Sequence, residues 1–358
     1  MGIVTDGGFN KLIIDEGEPV HYFRLITLPE LIGRLQQNFE ELLYNGDHKP
    51  IDKWHCLGRF VSIADGIFSV LIGRQDNPYV FRGQNKNYAK FVPTAQRDEQ
   101  KNLITNCKCW VQKQEFLEFF KTTPYYQRCR TFQVFDCHYE FDLEAVAQHY
   151  GFISNYIDIT KDMYIAMFFA YTQYNPADDK YYPITDFTDY TPTLYTSNIM
   201  DIYKTFDASF KIVGFQSVLR PRLQHAMALD ASNMELKSKF EEIQLPKSVA
   251  IAQEIYNQFR AGTTIFPTDY IAFVSKTIRD SKELNQDYVT QYCSEKNLNY
   301  DDIKKQLQQN GYQLTEIKYR STPYDEYMMN RDLDDWILPT LNQYIAVHPV
   351  ESSLRFTI

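Results

Sequence analysis

Residues 142–171 read DLEAVAQHYGFISNYIDITKDMYIAMFFAY, and this stretch decides the fold of the middle of the chain. Asp142 is a capping residue ahead of a helical run that Gly151 ends. Residues 156–159 alternate and are rich in β-branched and aromatic side chains, which predicts a strand. Asp162 then caps a second, apolar helix. The succession of helix, tight turn, strand and helix belongs to a predicted α+β fold in which helices surround a mixed sheet.

Three polar side chains in this stretch are candidates for contact with a ligand. His149 stands at the end of the first helix, and Asp158 and Thr160 stand at the end of the strand. Polar groups at a strand end beside a helix N-terminus are suited to meet an anion or a sugar. The alternative is structural, with Asp158 and Thr160 as capping groups and His149 as a hydrogen-bonded interior residue.

A second candidate segment is Phe81-Arg82-Gly83-Gln84, which follows a short predicted strand and precedes Arg97. The arginine offers a planar fork suited to phosphate. The glycine beside it would let a ligand approach the backbone closely. The alternative is an arginine that ties a loop to backbone carbonyl groups.

A third candidate segment contains Arg220, Arg222, Gln224 and His225, shortly after a strand predicted at 210–215. These side chains either line the same cleft as the first two segments or form a basic patch on the surface.

The flanking regions are predicted to be largely helical. Apolar residues at helical spacing predict helices over 28–45 and 103–120, and the apolar stretch 57–72 is interpreted as a buried helix. Residues 175–193, with several prolines and aspartates, predict a loop. The chain is therefore divided into an N-terminal helical section (1–75), a core (76–280) and a C-terminal section packed on that core (281–358).

Composition excludes several classes of protein. The net charge of −9 argues against a broad surface for nucleic acid or anionic membrane. The N-terminus does not read as a signal peptide, and the sequence has no apolar run long enough to span a bilayer. The 6 cysteines form no CxxC pair, so no metal site and a reduced, cytoplasmic protein are expected. P-loop, dinucleotide-binding, zinc-protease and serine-hydrolase motifs are absent from the sequence.

The ordered set of segments resembles the FRG domain, a family named for its Phe-Arg-Gly motif. The resemblance rests on Phe-Arg-Gly-Gln at 81–84, Gln-His-Tyr-Gly at 148–151, Asp-x-Thr at 158–160, and the later Arg-x-Gln at 222–224. A Gly…Phe-Pro segment at 262–267 extends it, so that it covers about residues 76–280. Two positions depart from the family, which usually has Arg where Asn155 stands and Trp where Ile159 stands.

The FRG pattern is in turn similar, in its order, to the ADP-ribosyltransferases. Arg82 would match their early arginine, Asp158 and Thr160 would lie on their Ser-Thr-Ser strand, and Gln224 stands near the place of their late carboxylate. The resemblance implies a mainly antiparallel sheet and NAD as the substrate. Because the motif segments stand at strand ends, we expect Arg82, His149, Asp158 and Gln224 to line one pocket. The implied catalytic residues are Arg82, His149, Asp158, Thr160 and Gln224, and the implied ligand-binding residues are Arg82, Gly83, Gln84, Arg97 and Arg222.

Four functions are therefore open from the sequence. The first is NAD-dependent ADP-ribosyltransferase or NAD glycohydrolase chemistry, in a bacterial toxin or phage-defence effector of the kind that FRG proteins resemble. The second is a module that binds a nucleotide or nucleic acid without catalysis, through Arg82, Arg97, Arg220 and Arg222. The third is a nuclease that uses His149 and Asp158, and the fourth is a structural scaffold. The sequence does not identify a macromolecular target or an oligomeric state.

Overall fold

The computed structural model describes residues 79–96, 102–123, 142–199, 219–231 and 236–316, together with short stretches around 126–130, 201–202 and 210–213. Outside these ranges it describes the backbone of several strands only. The described strands are β1 Thr5–Asp6, β2 Phe9–Asn10, β3 Leu12–Ile13, β4 Leu25–Ile26, β5 Arg59–Ala64, β6 Ile67–Leu71, β7 Tyr79–Gln84, β8 Gln133–Val134, β9 Cys137–Tyr139, β10 Tyr156–Thr160, β11 Thr172–Asn175, β12 Lys180–Pro183, β13 Thr193–Asn198, β14 Phe210–Ile212, β15 Ala226–Asp230, β16 Glu241–Gln244, β17 Glu283–Asn285 and β18 Gln313–Thr315. The described α-helices are α1 Leu103–Thr122, α2 Leu143–His149, α3 Met163–Tyr171, α4 Leu219–Leu223, α5 Val249–Gln258, α6 Tyr270–Asp280, α7 Gln286–Glu295 and α8 Tyr300–Gln309.

A six-stranded antiparallel sheet in the order β14-β15-β10-β7-β13-β16 forms the centre of the fold. A second sheet of four strands has the order β5-β6-β9-β8, and its β6–β9 pair is parallel. The predicted α+β class with a mainly antiparallel sheet is therefore confirmed.

The helices beside the central sheet begin where their capping side chains predict. A carboxylate oxygen of Asp142 accepts from the N–H of Ala145 and starts α2. Asp162 starts α3 in the same way, by accepting from the N–H of Tyr164. Capping oxygens of this kind satisfy N–H groups that have no partner within the helix.

The two faces of the central sheet bury different clusters. Val80 of β7 and Ile157 and Ile159 of β10 belong to one cluster. Phe81, the residue after Val80, packs with helix α3 in the other cluster. Because neighbouring side chains on a strand point to opposite faces, this division assigns every residue of β7 and β10 to a face.

The C-terminal helices pack against α1. Apolar residues of α1, α7 and α8 share a third buried cluster that includes Val111, Val289 and Leu307. The Nε2 of Gln112 on α1 donates to the carbonyl oxygen of Ile278 at the end of α6 (2.9 Å). The domain boundaries at 75 and 280 stay a prediction.

The buried helix predicted over 57–72 is wrong, since this stretch forms the antiparallel strands β5 and β6. A short apolar run fits a buried strand as well as a buried helix. The two residues between the strands are Asp65 and Gly66, a pair that favours a tight hairpin turn. The helix predicted over 28–45 lies outside the described residues.

Two further elements differ from the prediction. The polar segment 175–193 contains strand β12, which pairs with β11, so it is only partly a loop. The segment predicted to leave a strand at 220–224 lies largely on the short helix α4, between β14 and β15. Strand β15 was not predicted, because its sequence Ala-Met-Ala-Leu-Asp has no β-branched residue.

Candidate functional site

A chain of hydrogen bonds fixes the carboxylate of Asp158 on the face of the sheet opposite Ile157 and Ile159. The hydroxyl of Ser154 donates to the Oε1 of Gln148, which leaves the Nε2 of Gln148 to donate to the Oδ1 of Asp158. The hydroxyl oxygen of Ser154 also accepts from the N–H of Tyr156 (3.0 Å). The Asp158 side chain is nevertheless 47% exposed, so this carboxylate is positioned and accessible to a ligand.

His149 lies beside that carboxylate with one ring nitrogen bound and the other without a hydrogen-bond partner. Its Nδ1 lies 2.8 Å from the Oε1 of Gln224. The Nε2 of Gln224 donates to the main-chain oxygen of Ile265 (2.9 Å), so its Oε1 accepts and the Nδ1 of His149 carries the hydrogen. The Nε2 of His149 is therefore left with a lone pair in the neutral ring.

The unpartnered Nε2 of His149 points toward Asp158. It lies 3.7 Å from the Oδ1 of Asp158, and it is buried without a hydrogen-bond partner. A protonated ring would form an ion pair with the carboxylate, and a neutral ring presents a lone pair. The two groups together can hold a proton between them, with the carboxylate open to solvent and the ring nitrogen buried.

Thr160 helps to hold Gln224 in place through main-chain hydrogen bonds. Its hydroxyl donates to the main-chain oxygen of Gln224 (2.7 Å) and accepts from the N–H of Asp162 (3.0 Å). Both partners of the hydroxyl are main-chain groups of the protein. Thr160 therefore joins β10 to the segment that carries Gln224, and its hydroxyl is not presented to a ligand.

The rest of the Gln-His-Tyr-Gly motif connects α2 to distant parts of the chain. The hydroxyl of Tyr150 donates to the Oδ2 of Asp269 (2.6 Å), and burial raises the pKa of Tyr150. Burial also raises the pKa of Asp269. Gly151 has φ +87° and leaves room for the guanidinium of Arg279, which would lie 2.9 Å from an added Cβ.

Arg82 is not on this face. It follows Phe81, which packs against α3, and it shares its face with Val80. Because Thr160 pairs with Phe81, Asp158 falls level with Gly83, on the face opposite the Arg82 side chain. The prediction that all four residues line one pocket is therefore corrected: His149, Asp158 and Gln224 meet, and Arg82 lies across the sheet from them.

Arg82 joins β7 to β10 through the main chain. Its Nη1 donates to the carbonyl oxygen of Asp158 (2.7 Å), and its guanidinium lies over the ring of Phe91 at 5.3 Å. Its relative exposure is 9%. The structure thus gives Arg82 the structural role that the sequence left open as the alternative.

The residues next to Arg82 are also enclosed. A Cβ on Gly83 would lie 1.6 Å from the carbonyl oxygen of Ala166, so the missing side chain accommodates helix α3 where the sequence suggested a ligand. Gln84 is buried on the Arg82 face. Arg97 and the side chain of Arg222 lie outside the described residues, so their predicted binding roles stay predictions.

Two residues of the site, Gln148 and Ser154, were not among the candidates from the sequence, whereas Arg220 was a candidate for binding only. Gln148 and Ser154 orient Asp158, and Arg220 contacts the main chain of His149. Gln148 was visible in the Gln-His-Tyr-Gly motif, where an amide stands next to the candidate histidine. Ser154 gave none, because its role depends on the path of the turn before β10.

Residues 77–179 match the profile of the FRG domain. The chain contains an FRG domain. This match includes Arg82, His149 and Asp158 but ends before Gln224, so the extension of the FRG domain to residue 280 stays a prediction. No curated protein and no solved structure matches the chain. The comparisons do not extend to ADP-ribosyltransferases, and that similarity stays a hypothesis.

None of the helices in the described part of the chain is both long and apolar enough to cross a membrane. Within the same residues, no group of three or more His, Cys, Asp or Glu side chains is placed to hold a metal ion. The expected absence of a metal remains a prediction.

Proposed function

We propose that this FRG-domain protein binds a nucleotide and cleaves an N-glycosidic bond of it, with NAD as the first candidate substrate, at Asp158 and His149. The observation that carries the proposal is the pair itself. A half-exposed carboxylate, fixed by Gln148, lies 3.7 Å from a histidine nitrogen that is buried without a partner. Groups arranged in this way are typical of acid–base sites.

The carboxylate suits a reaction that develops positive charge. When the bond between the ribose C1′ and the nicotinamide nitrogen breaks, its electron pair leaves with nicotinamide and the ribose becomes an oxocarbenium-like cation. A fixed carboxylate stabilises that charge, as it does in glycoside hydrolysis. Asp158 is accessible enough to meet the ribose, and Gln148 holds it in one orientation.

His149 completes the balance of the reaction. A water oxygen forms the new bond to C1′, and the Nε2 of His149 accepts the proton that the water loses. The products are ADP-ribose and nicotinamide. In a transferase reaction, a hydroxyl or amine of an acceptor takes the place of the water. Gln224 acts as a positioning residue, because both ends of its amide are bound to His149 and Ile265.

The same geometry ranks a metal-independent nuclease lower. The transition state of phosphoryl transfer carries negative charge on its oxygens. A carboxylate 3.7 Å from the candidate base would repel that charge, whereas it attracts an oxocarbenium ion. A toxin or phage-defence role, suggested by the FRG resemblance, would be consistent with consumption of NAD.

A substrate panel tests the proposal. The purified full chain is incubated separately with NAD, single-stranded RNA and single-stranded DNA, and the products are separated by chromatography. We expect nicotinamide release from NAD and no cleavage of the nucleic acids. Cleaved nucleic acid with intact NAD would favour the nuclease, and binding of ADP-ribose without any turnover would favour the non-catalytic module.

Two variants tie the activity to the site. His149→Asn keeps an amide N–H near the position of Nδ1 but removes Nε2, so release of nicotinamide should fall at least about a hundredfold, within the usual range for loss of a general base. Asp186→Asn is the control, because Asp186 is an exposed aspartate whose carboxylate bonds only to Thr188. Equal rates in the two variants would remove His149 from the mechanism.

A further inference from the structure

Arg220 stands out beside the His149–Asp158 pair because its guanidinium is held by aromatic rings. Its central carbon lies 5.1 Å from the ring centre of Tyr150 and 5.8 Å from that of Phe266. Its Nη1 lies 3.5 Å from the main-chain oxygen of His149. Stacking on two rings fixes a planar guanidinium without using its N–H donors.

Most of the hydrogen-bonding capacity of Arg220 is unused. Its Nε is buried and has no hydrogen-bond partner. Its contact with the oxygen of His149 is at the long limit for a hydrogen bond. An arginine has five N–H donors, and buried donors left without acceptors are costly.

Two carboxylates that feel the charge of Arg220, Asp179 and Asp269, are bound to other groups. Asp269 accepts from the hydroxyl of Tyr150 and from the N–H of Ala272. Asp179 accepts from Arg279 (2.9 Å) and from the hydroxyl of Tyr174. Within the part of the chain that the structure describes, no carboxylate forms an ion pair with Arg220.

We propose that Arg220 is the anion-binding residue of this site and that it takes a phosphate of a nucleotide pyrophosphate. The placement of the ligand rests on the proposed function, since the sugar must lie at Asp158 while its phosphates reach Arg220. The main-chain contact with His149 puts the guanidinium next to the residue that carries the acid–base nitrogen. A guanidinium fixed by rings loses little freedom when it binds a phosphate.

This assignment places the phosphate contact at Arg220 and not at Arg82, the arginine of the Phe-Arg-Gly motif. Arg82 lies on the other face of the sheet and donates to the carbonyl of Asp158. Arg220 lies two positions before Arg222 of the Arg-x-Gln motif. A nucleotide at Asp158 therefore meets Arg220 and cannot meet Arg82.

Calorimetric titration with ADP-ribose and with inorganic pyrophosphate tests the assignment. The wild type, Arg220→Gln and Arg220→Lys are compared with Arg260→Gln, which changes an exposed arginine in the turn after α5. We expect Arg220→Gln to weaken both ligands at least tenfold and Arg220→Lys to weaken them less. Arg260→Gln should stay within about twofold, and the melting temperature of each variant shows whether it is folded.

The results separate this inference from the proposed function. Weakened ADP-ribose binding in folded Arg220→Gln, with no nicotinamide release by the wild type, would support the anion site and reject the glycosidic cleavage. Nicotinamide release by the wild type, together with unchanged binding in Arg220→Gln, would support the glycosidic cleavage and reject the anion site. Should Arg220→Gln not fold, Arg220→Lys decides, and wild-type affinity in that variant would overturn the assignment. Absence of binding to the wild type at millimolar ligand would overturn it as well.

Discussion

The two faces of the central sheet differ in how they surround polar side chains: one face encloses Arg82, and the other leaves the carboxylate of Asp158 accessible. On one face, Arg82 is enclosed beneath Phe91 and bonded to the main chain of the neighbouring strand. On the other face, Asp158 is half exposed and His149 keeps an unpartnered nitrogen beside it. The arginine that names the FRG family therefore joins two strands of the sheet here, and the groups proposed to act on a ligand lie on the opposite face.

The largest effect should come from Gly83, where the Arg82 strand meets helix α3. In Gly83→Ala the new Cβ would lie 1.6 Å from the carbonyl oxygen of Ala166, which is backbone and cannot rotate away. We expect a loss of roughly 4 kcal/mol or more in unfolding free energy, or failure to fold. Urea denaturation measures it.

Gly311→Ala is the matched control for Gly83→Ala. Gly311 has φ +81° but open space around its Cα, so its alanine variant carries backbone strain without a clash. A cost of about 1 kcal/mol is expected there. If both variants lost a similar amount of unfolding free energy, the absence of a side chain at Gly83 would not be needed for α3 to pack against β7.

A buried carboxylate in α1 offers a contrast with Asp158. Burial raises the pKa of Glu115 to about 7, with a smaller opposing effect from its hydrogen bond to the N–H of Asn285. The folded state therefore binds more protons than the unfolded state between about pH 4.5 and 7, and the stability that Glu115 contributes is lost as the pH rises through this window.

Glu115→Gln should remove that pH dependence. The variant keeps an oxygen that can accept from Asn285, so above pH 7 it should be more stable than the wild type, by a margin on the order of 3 kcal/mol. Urea unfolding at several pH values from 4.5 to 8 measures the margin. Glu118→Gln, three residues along the same helix, is the control for loss of charge. A constant difference between wild type and Glu115→Gln across the range would contradict the burial argument.

Arg82→Ala should lower stability by roughly 2 kcal/mol, because it removes a charged donor from a buried carbonyl oxygen. Arg82→Lys should recover part of the loss, since a lysine can donate one bond but lacks the planar fork. Thermal melting and ADP-ribose titration on the same variants give the two readouts. An Arg82→Ala variant that melts like the wild type but loses ligand affinity would place the binding site on the Arg82 face.

The sequence predicted local structure well where a single side chain controls it. Asp142 and Asp162 start their helices at the predicted residues, because a capping oxygen acts on N–H groups two or three positions away. The sequence also predicted the strands that begin at Tyr79 and Tyr156, and it marked Asp158 as a polar residue near the end of the second strand.

The face of the sheet on which Arg82 lies was not predictable in the same way. It depends on the pairing of Thr160 with Phe81, across the 78 residues that separate them in the chain, and a shift of one residue would reverse it. The meeting of His149 with Gln224 depends likewise on the missed helix α4 and strand β15. The sequence therefore supplied His149, Asp158 and Gln224 as candidates, and the strand register decided which of the candidates lie together.

Asp158→Asn should have the smallest effect on the unfolding free energy. It also tests most directly whether the chemistry lies on the His149 face. Its side chain is half exposed and the amide keeps an oxygen for Gln148, so unfolding free energy should change by less than about 0.5 kcal/mol. Nicotinamide release from NAD and the melting temperature are measured on the same preparation, beside the wild type. We expect a wild-type melting temperature, with nicotinamide release reduced at least about a hundredfold. Undiminished release in the folded variant would contradict it.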